Sequence, residues 1–372
     1  MKILYGVVGE GMGHAIRSAV VLKWLLDQGH QVQVVASGRA HAYLKSRVPR
    51  VDQIWGLTMA MEHNQVRRLA TATDNLRGAL EGWPSNVRRY FEMVGRFSPD
   101  VVISDFETWS WLFAKVHRIP LICIDNIQLI NRCWHDDAII GQEMDEFLLA
   151  KSIVKAKCPR AAHYVITSFC EPPVRKKRTS LVPPILRPEI LNATPTHGEH
   201  LLVYQTSPTF SDLPRLLAGL QRPVYIYGLR REIQEDQRQG NLVFRPFSET
   251  QFVEDLASAA GVIASAGFTL MGEALHLRKP FLATPVGGQF EQLLNARYLH
   301  ELGYGTYSRS LGPNDLVDFV DELPRYRQAL QSYEPRDNSA LFARLEELFD
   351  LAESGILRSR RVRWLGWGDA AK

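Results

Sequence analysis

The feature that most constrains the fold is a repeated alternation of short apolar runs with longer amphipathic stretches. In the first half the apolar runs are KILYGVV, QVQVVAS, DVVISDF, RIPLICID and HYVITS. After residue 198 the alternation restarts with HLLVYQ, PVYIYG, NLVFRPF, GVIASAG and PFLATPV. Runs that are apolar along their whole length, separated by helices, are typical of parallel sheets covered on both faces. We therefore expect an α/β fold with two Rossmann-like, doubly wound parallel-sheet domains.

The two alternating halves are joined by a segment of different texture. Residues 171 to 195 read EPPVRKKRTSLVPPILRPEILNATP, which is rich in proline and positive charge and is typical of a linker. We assign residues 1–180 to an N-terminal domain, 181–198 to the linker, 199–340 to a C-terminal domain and 341–372 to a C-terminal helix and basic tail. Two such halves turn the C-terminal ends of their strands towards a shared cleft.

Composition narrows the class of protein. The net charge is +4 over 372 residues, which argues against a general nucleic-acid surface. The four cysteines lack C-x-x-C spacing and a histidine at zinc spacing, so we expect a reducing, cytoplasmic location and no metal. No apolar run approaches the length of a membrane span. The tail ILRSRRVRWLGWGDAAK combines arginine with tryptophan, which suits either a solvated tail or a peripheral contact with the inner face of the membrane.

The first chemical motif is the glycine-rich stretch GEGMGHAIRS at residues 9–18, directly after the first apolar run. A strand, a glycine turn and a helix start together present free backbone N–H groups to a ligand. The stretch fits neither the dinucleotide fingerprint nor the Walker pattern, and G-x-G-x-G-H-x-x-R remains, with His14 in the first helical turn. The helical period predicts these inward-facing positions: Ile16, Val20, Leu22 and Leu26.

His14 is the candidate general base. The positive end of the helix dipole disfavours an imidazolium, so we expect a neutral ring that can accept a proton. Such a base is usually oriented by a carboxylate on its other ring nitrogen. Asp105, at the end of the strand DVVIS, is the predicted partner, with Glu107 as the reserve. The alternative is a structural histidine that bonds a nearby loop.

The second motif lies in GVIASAGFTLMGEALHLRKPFLATPVGGQFEQLLN, residues 261–295. A strand ends at Ser265-Ala266-Gly267 and a helix begins at Phe268-Thr269, so backbone N–H groups and a hydroxyl could hold a diphosphate. Glu273, about one turn further on, has acceptor oxygens suited to a ribose diol. Glu291-Gln292 open the next helix, where they could bind sugar hydroxyls. The alternative is two ordinary β-α turns, with Glu273 in a surface ion pair.

This second stretch resembles the donor-binding region of GT-B glycosyltransferases. The likeness is to the branch with the glycolipid and peptidoglycan precursor transferases and the UDP-glucuronosyl and glucosyl transferases, and within it to family 28, the lipid-II N-acetylglucosaminyltransferase-like enzymes. The matching residues are Gly267, Thr269, Glu273, Lys279-Pro280, Pro285, Glu291-Gln292 and Asn295-Ala296. The loop with Gly11, Gly13 and His14 is similar to the acceptor-side loop of the same enzymes, where a histidine supported by an aspartate deprotonates the acceptor hydroxyl.

The resemblance implies an activity and a set of residues. The activity is inverting, metal-independent hexosyl transfer from a nucleotide-diphosphate sugar, UDP-linked, to a hydroxyl acceptor that is lipid-linked or a small molecule. No cofactor is implied, since the nucleotide sugar is a co-substrate. His14 and Asp105 match the catalytic positions. The implied donor-binding residues are Gly13, Ser207, Phe247, Ser265, Gly267, Phe268, Thr269, Glu273, Glu291 and Gln292.

The chain departs from the family pattern at three places. Gln205-Thr206-Ser207 stands where relatives carry Gly-Ser, Lys279 replaces a common glycine, and the third departure removes a charged side chain. Ser265 stands where relatives carry histidine or arginine, so a phosphate-neutralising side chain is missing. Arg17, Arg230 and Arg245 are the candidate replacements. The run His135-Asp136-Asp137 could hold a cation but is more typical of a solvated turn.

Two other functions stay open at this level. The G-x-G-H-x-x-R loop also resembles that of nucleotide-sugar hydrolases of nonulosonic acid synthesis, in which water is the acceptor. A non-catalytic nucleotide-sugar sensor would need the donor-binding residues but not His14.

Overall fold

The structure, a computed structural model, describes residues 1–9, 11–56, 61–62, 65–66, 82, 84–93, 95–206 and 212–359. For residues 61, 62, 65 and 66 it describes the backbone alone. The predicted donor-binding Ser207 and the tail beyond residue 359 lie outside these ranges.

The first lobe is built on a seven-stranded sheet that is parallel throughout. Its strands are β1 Lys2–Val7, β2 Gln31–Ala36, β3 Val51–Gln53, β6 Val101–Asp105, β7 Leu121–Asp125, β8 His163–Thr167 and β9 Thr179–Val182. Their order is β3-β2-β1-β6-β7-β8-β9. An antiparallel ribbon of β4 Met61–Glu62 and β5 Gln65–Val66 stands apart from the sheet.

The second lobe repeats this arrangement. Its strands are β10 Leu201–Tyr204, β11 Val224–Tyr227, β12 Gln237–Gln239, β13 Leu242–Arg245, β14 Gly261–Ala264, β15 Phe281–Ala283 and β16 Gly305–Tyr307. Their order is β12-β13-β11-β10-β14-β15-β16, and the edge strand β12 is antiparallel to β13. The two predicted doubly wound domains are confirmed.

Helices cover both faces of each sheet. In the first lobe they are α1 Met12–Asp27, α2 Gly38–Lys45, α3 Thr108–Val116, α4 Leu129–Arg132, α5 Asp137–Ile140 and α6 Met144–Lys157. A short helix, α7 Pro188–Leu191, lies in the linker. The helices that follow are α8 Leu213–Ala218, α9 Glu249–Ser258, α10 Phe268–His276, α11 Phe290–Glu301, α12 Pro313–Asp321, α13 Leu323–Leu330 and α14 Ser339–Glu353.

The chain crosses between the lobes over a very short distance. Strand β9 continues two residues beyond the predicted domain end at residue 180. Ile185 is buried in the core of the first lobe, whereas Leu186 and Ile190 are buried in the core of the second. The crossover therefore falls between consecutive residues within the predicted linker.

The final helix returns to the first lobe. The side chains of α14 that join the first-lobe core are Leu341, Leu345, Leu348 and Phe349. The ring of Phe342 stacks on Trp24 of α1, with 4.7 Å between ring centroids. This helix therefore packs on the N-terminal domain although it follows the C-terminal one in sequence.

The buried face of α1 differs from the predicted one. The fully buried residues are Ala15, Arg17, Ser18, Val21, Leu22 and Leu25. Of the predicted positions, Leu22 is among them, Val20 and Leu26 are partly buried and pack against the core, and Ile16 is partly buried. The helix is rotated because Arg17 and Ser18 turn inward to reach the carboxylate of Asp105. A polar contact, which apolar periodicity does not reveal, decides this orientation.

Strand order fixes where a ligand can bind. In each sheet the order reverses at a pair of neighbouring strands, β1 with β6 in the first lobe and β10 with β14 in the second. Ligands of open α/β sheets bind beyond the C-terminal ends of the strands at such a reversal. The glycine loop follows β1 and the Ser265-Ala266-Gly267 loop follows β14, so both predicted motifs lie at these points.

Candidate active site

A glycine turn carries the chain from β1 into α1. Gly11, the residue before the helix, has a φ of 79°, a backbone angle that residues other than glycine rarely adopt. Gly13 lies in the first turn, and a Cβ there would come within 2.7 Å of the Thr269 hydroxyl of the second lobe. Glycine at position 13 thus allows the first turn of α1 to approach α10 closely.

His14 and Asp105 form a hydrogen-bonded pair at the reversal point of the first sheet. Asp105 ends β6 and lies in register with Val7, the last residue of β1. Its Oδ1 atom lies 2.7 Å from Nδ1 of His14. The imidazole remains 15% exposed while the carboxylate is 1% exposed. The structure therefore brings the two predicted catalytic residues together.

Arg17 shares the carboxylate of Asp105. Its Nε donates to Oδ2 over 2.8 Å and its Nη2 to Oδ1 over 2.5 Å, while the Ser18 hydroxyl adds a bond of 3.0 Å to Oδ2. Burial alone would raise the pKa of Asp105, but Arg17 and His14 together lower it well below its usual range. The suggestion that Arg17 replaces the missing phosphate ligand is wrong, because this buried carboxylate already requires its charge.

The turn after Asp105 is held by Glu107. Phe106 adopts a φ of 53°, a strained value for a bulky residue. The Glu107 carboxylate caps α3, accepting from the backbone N–H groups of Trp109 at 2.7 Å and Ser110 at 2.6 Å. Its role as reserve partner of His14 is wrong, since both oxygens serve the helix cap.

Asn126 links this cluster to the second lobe. Its Oδ1 accepts from Nη1 of Arg17 at 2.6 Å, and its Nδ2 donates to Oε1 of Glu291 on α11, also at 2.6 Å. Sequence reasoning missed Asn126, although it directly follows the strand LICID and so lies at the same sheet edge as Asp105. A continuous chain of hydrogen bonds therefore runs from His14 to a predicted sugar-binding residue.

The second-lobe loop presents the start of α10. Gly267 is the residue before the helix, and a Cβ at this position would find no atom closer than Ser265 Oγ, 4.0 Å away. Nδ2 of Asn295 donates to the Ala266 carbonyl over 3.1 Å and fixes the loop. The N–H groups of the first helical turn have no intrahelical acceptor, so this end can bind an anion.

Phe268 and Thr269 contribute differently from expectation. The ring of Phe268 is buried against Phe169, with 5.7 Å between the ring centroids. Only the backbone of Phe268 is therefore available to a donor substrate. The Thr269 hydroxyl donates to the Gly13 carbonyl over 3.2 Å. This bond sets the first turns of α1 and α10 against each other.

Glu273 is buried in an ion pair with the linker. Arg187 donates Nε to Oε1 over 2.8 Å and Nη2 to Oε2 over 3.0 Å. Burial raises the pKa of Glu273, and the Arg187 charge opposes that shift. The alternative, that Glu273 makes a surface ion pair, is wrong because this pair is buried. The contact of Glu273 with a ribose stays a prediction.

Gln292 and Phe247 lie on the remaining loops of the second lobe. Gln292 accepts from the Val286 N–H at 3.1 Å and donates to Gln289 at 2.7 Å, so it holds its own loop. Phe247 follows β13 and is 67% exposed, which leaves its ring available to a ligand.

The other two candidate phosphate ligands are already engaged. Arg245 pairs with Asp236 at 2.6 Å and with Asp255 at 3.0 Å. The Arg230 guanidinium lies 3.7 Å from the ring centroid of Phe244. A replacement for the missing side chain is therefore not apparent in either.

The His135 run takes part in lobe contact. Nδ1 of His135 lies 2.8 Å from the Tyr298 hydroxyl, and its Nε2 lies 3.0 Å from the Leu129 carbonyl. Within the described ranges, no group of three or more histidine, cysteine, aspartate or glutamate side chains is arranged to hold a metal ion. Among the helices of the same ranges, none is both long and apolar enough to span a bilayer.

Comparison with known proteins shows the family of the chain and agrees with its fold. Residues 1–324 match the family described as glycosyl transferase family 1. An uncharacterized glycosyltransferase of Methanosarcina acetivorans is 24% identical over 352 residues, covering 87% of this chain and 90% of the relative. The structure of Phytolacca americana UGT2, complexed with UDP-2fluoro-glucose and pterostilbene, has a TM-score of 0.65 at 14% identity and covers 95% of this chain and 99% of its own. Acinetobacter baumannii MurG has a TM-score of 0.57 at 17% identity, with 93% and 99% covered.

Proposed function

The chain belongs to glycosyl transferase family 1, and from that premise we propose that it is an inverting hexosyltransferase with a nucleoside diphosphate sugar, UDP-linked, as donor. The observation that carries the proposal is the His14–Asp105 pair, set beside the N-terminal end of α10 by the Thr269–Gly13 bond. One lobe offers a proton acceptor and the other an anion site.

Each group in the proposed reaction has a distinct task. Asp105 accepts a hydrogen bond from the Nδ1–H group of His14. This leaves Nε2 of His14 available to take the proton of the acceptor hydroxyl. The acceptor oxygen bonds to the anomeric carbon as the bond from that carbon to the diphosphate breaks, and configuration inverts. The diphosphate leaves with the electron pair towards the N–H groups at Gly267, which stabilise its charge.

The donor-binding part of the proposal rests on the second lobe. We assign donor contacts to Gly13, Ser265, Gly267 and the Phe268 backbone, and to the side chains of Thr269, Glu273, Glu291 and Gln292. The exposed ring of Phe247 is suited to contact with the nucleotide base of the donor. A contact between Ser207 and the donor is also part of the proposal. No metal is invoked, because helix N–H groups supply the electrostatic stabilisation.

The finer kinship and location are also proposals. The Gly267-to-Asn295 motif supports a nearer relation to the family 28 lipid-II branch, and a lipid-linked or small hydroxyl acceptor. Four buried thiols, none in a disulfide, support a cytoplasmic location. The contact of the Arg/Trp tail with the membrane inner face involves residues outside the described ranges.

Thermal shift followed by turnover tests the function. We expect one of UDP, GDP, dTDP and CDP sugars to raise the melting temperature more than the others, with the UDP sugar giving the largest shift. Release of nucleoside diphosphate from that sugar should depend on an added hydroxyl acceptor. Release of free sugar at a rate indifferent to acceptors would instead establish the hydrolase, and binding without any turnover would establish the sensor.

A further inference from the structure

A basic and apolar surface lies on the first lobe. We call it the α6 patch and define it by Trp134, Leu148, Lys151, Lys155, Arg175 and Lys176. Trp134 is 58% exposed and Leu148 is 49% exposed, so this surface presents two large apolar side chains to solvent. The proposed transfer reaction uses none of these residues.

The charged members lie close to one another. Burial and the cations Arg175, Arg132, Lys155 and Lys151 lower the pKa of Lys176 to about 8. Nη2 of Arg175 donates to the backbone carbonyl of Asn131 over 3.4 Å and Nζ of Lys176 donates to Oδ1 of the same residue, so these two cations lie side by side.

The tryptophan belongs to the same cluster. The Arg175 guanidinium lies 5.1 Å from the ring centroid of Trp134. The backbone N–H of Trp134 donates to the Pro173 carbonyl over 2.8 Å, which holds the RKKR segment, residues 175–178, beside the tryptophan. The indole and the cations therefore form one surface.

Helix α6 carries an apolar side chain of the patch on the same face as two of its lysines. Leu148, Lys151 and Lys155 are spaced three and four residues apart, so they share one helical face. Phe147 and Val154 are buried and anchor the helix on the lobe. The acidic side chains of α6 are confined to its first turn, away from Lys151 and Lys155.

We propose that the α6 patch binds the surface of an anionic phospholipid bilayer. Lysine and arginine side chains meet the headgroup phosphates while Trp134 and Leu148 enter the boundary between headgroups and acyl chains. A nucleic acid or an acidic peptide would satisfy the cations but would leave the exposed leucine without an apolar partner. The combination of charge and aliphatic surface therefore favours a bilayer.

Co-sedimentation of the full chain with vesicles tests the proposal. We expect binding to phosphatidylcholine vesicles that contain phosphatidylglycerol and much weaker binding to phosphatidylcholine alone. Lys151→Gln, Lys155→Gln and Lys176→Gln combined should reduce the binding constant about tenfold or more. Leu148→Ser should reduce it as well, because part of the contact is apolar.

Matched variants on other surfaces separate the patch from general charge. Combined Arg50→Gln, Arg215→Gln and Arg238→Gln removes the same charge from exposed positions elsewhere, and Val317→Ser removes a 51% exposed apolar side chain from the second lobe. Both controls should bind like the parent.

Three results would overturn the proposal. One is equal sedimentation with neutral and anionic vesicles. Another is loss of binding with the lysine variants but not with Leu148→Ser, which would mark a site for soluble polyanions. The last is binding that only substitution of Arg358, Arg360, Arg361 and Arg363 by Gln abolishes, which would assign the contact to the tail. Acceptor-dependent turnover in detergent-free solution measures the proposed transfer independently.

Discussion

Two aspartates end neighbouring strands, and their surroundings give them opposite protonation behaviour. Asp105 is paired with Arg17 and His14 and is held ionised. Burial raises the pKa of Asp125 to about 7, and the negative charges of Asp105 and Glu291 reinforce the shift. Oδ2 of Asp125 is buried and has no hydrogen-bond partner among the residues that the structure describes, which agrees with a neutral carboxyl. Neighbouring carboxyl groups of which one is ionised and the other protonated are common at catalytic sites.

The raised pKa of Asp125 predicts a pH dependence of stability. The folded-state pKa lies near 7, above the ordinary value of 3.8, so the stabilising effect of the proton is fully present below pH 3.8 and is lost as the pH rises through 7. Asp125→Asn removes this dependence. We expect the melting temperature of Asp125→Asn to exceed that of the parent by more at about pH 8 than at about pH 5. The same difference in melting temperature at both pH values would contradict the raised pKa of Asp125.

The histidine itself has two neighbours that require opposite tautomers. Nδ1 of His14 lies 2.7 Å from Oδ1 of Asp105 and also 2.7 Å from Nη2 of Arg17. The carboxylate can only accept from an Nδ1–H, whereas the guanidinium can only donate to a bare Nδ1. Only the first arrangement leaves Nε2 able to take a proton, so Arg17 must stay on Asp105 for the proposed base to act.

At the scale of elements, the starts of α1 and α10 face each other across the cleft. The contact depends on Gly13, which leaves no side chain between its backbone and Thr269. Both helix ends carry a positive partial charge, so their approach is favourable chiefly when an anion lies between them. The arrangement therefore suits a diphosphate held at the junction of two lobes.

Substitution at Gly13 tests this approach of the helices. A Cβ would lie 2.7 Å from Thr269 Oγ1, so Gly13→Ala should push the lobes apart and raise the donor KM several-fold, although alanine favours a helix locally. In a Thr269→Ala background, which removes that oxygen, the same substitution should cost clearly less. A donor KM that rises equally in both backgrounds would show that the contact does not limit lobe approach.

Elements were predictable from sequence where burial is uniform. The run KILYGVV reads as a strand because a parallel strand covered on both faces is apolar along its whole length. Strand β9, Thr179–Val182, was missed because this edge strand lies among prolines and the RKKR charges. The three-residue β16 is too short to show a period.

At the scale of the whole molecule, two sheets meet with their reversal points facing a cleft, and the chain passes between them at Ile185 and Leu186. The lobes are held partly by the bond from Asn126 to Glu291, which are 165 residues apart. Nothing local in the sequence identifies this pair, or the Arg187–Glu273 pair, because each joins segments that meet only after folding. The sequence therefore indicated most of the residues at the cleft and the His14–Asp105 pair, but not the bonds that join the two lobes.

An exchange of charge across the lobes tests the role of that bond. Asn126→Asp keeps an acceptor for Arg17 but places a carboxylate against Glu291, so we expect a higher donor KM and a smaller change in kcat. Adding Glu291→Gln exchanges amide and carboxylate, keeps the net charge and should recover much of the loss. Additive effects of the two substitutions in steady-state kinetics would show that the residues act independently.

The central claim is that His14, oriented by Asp105, takes the acceptor proton in a cleft whose other wall holds the donor. The most direct measurement compares kcat for nucleoside diphosphate release with the donor-induced shift in melting temperature, in the parent and in His14→Ala. The account predicts that His14→Ala loses about 10² to 10⁴ in kcat while keeping the donor-induced shift. A variant that retains parental kcat with an acceptor present would contradict it.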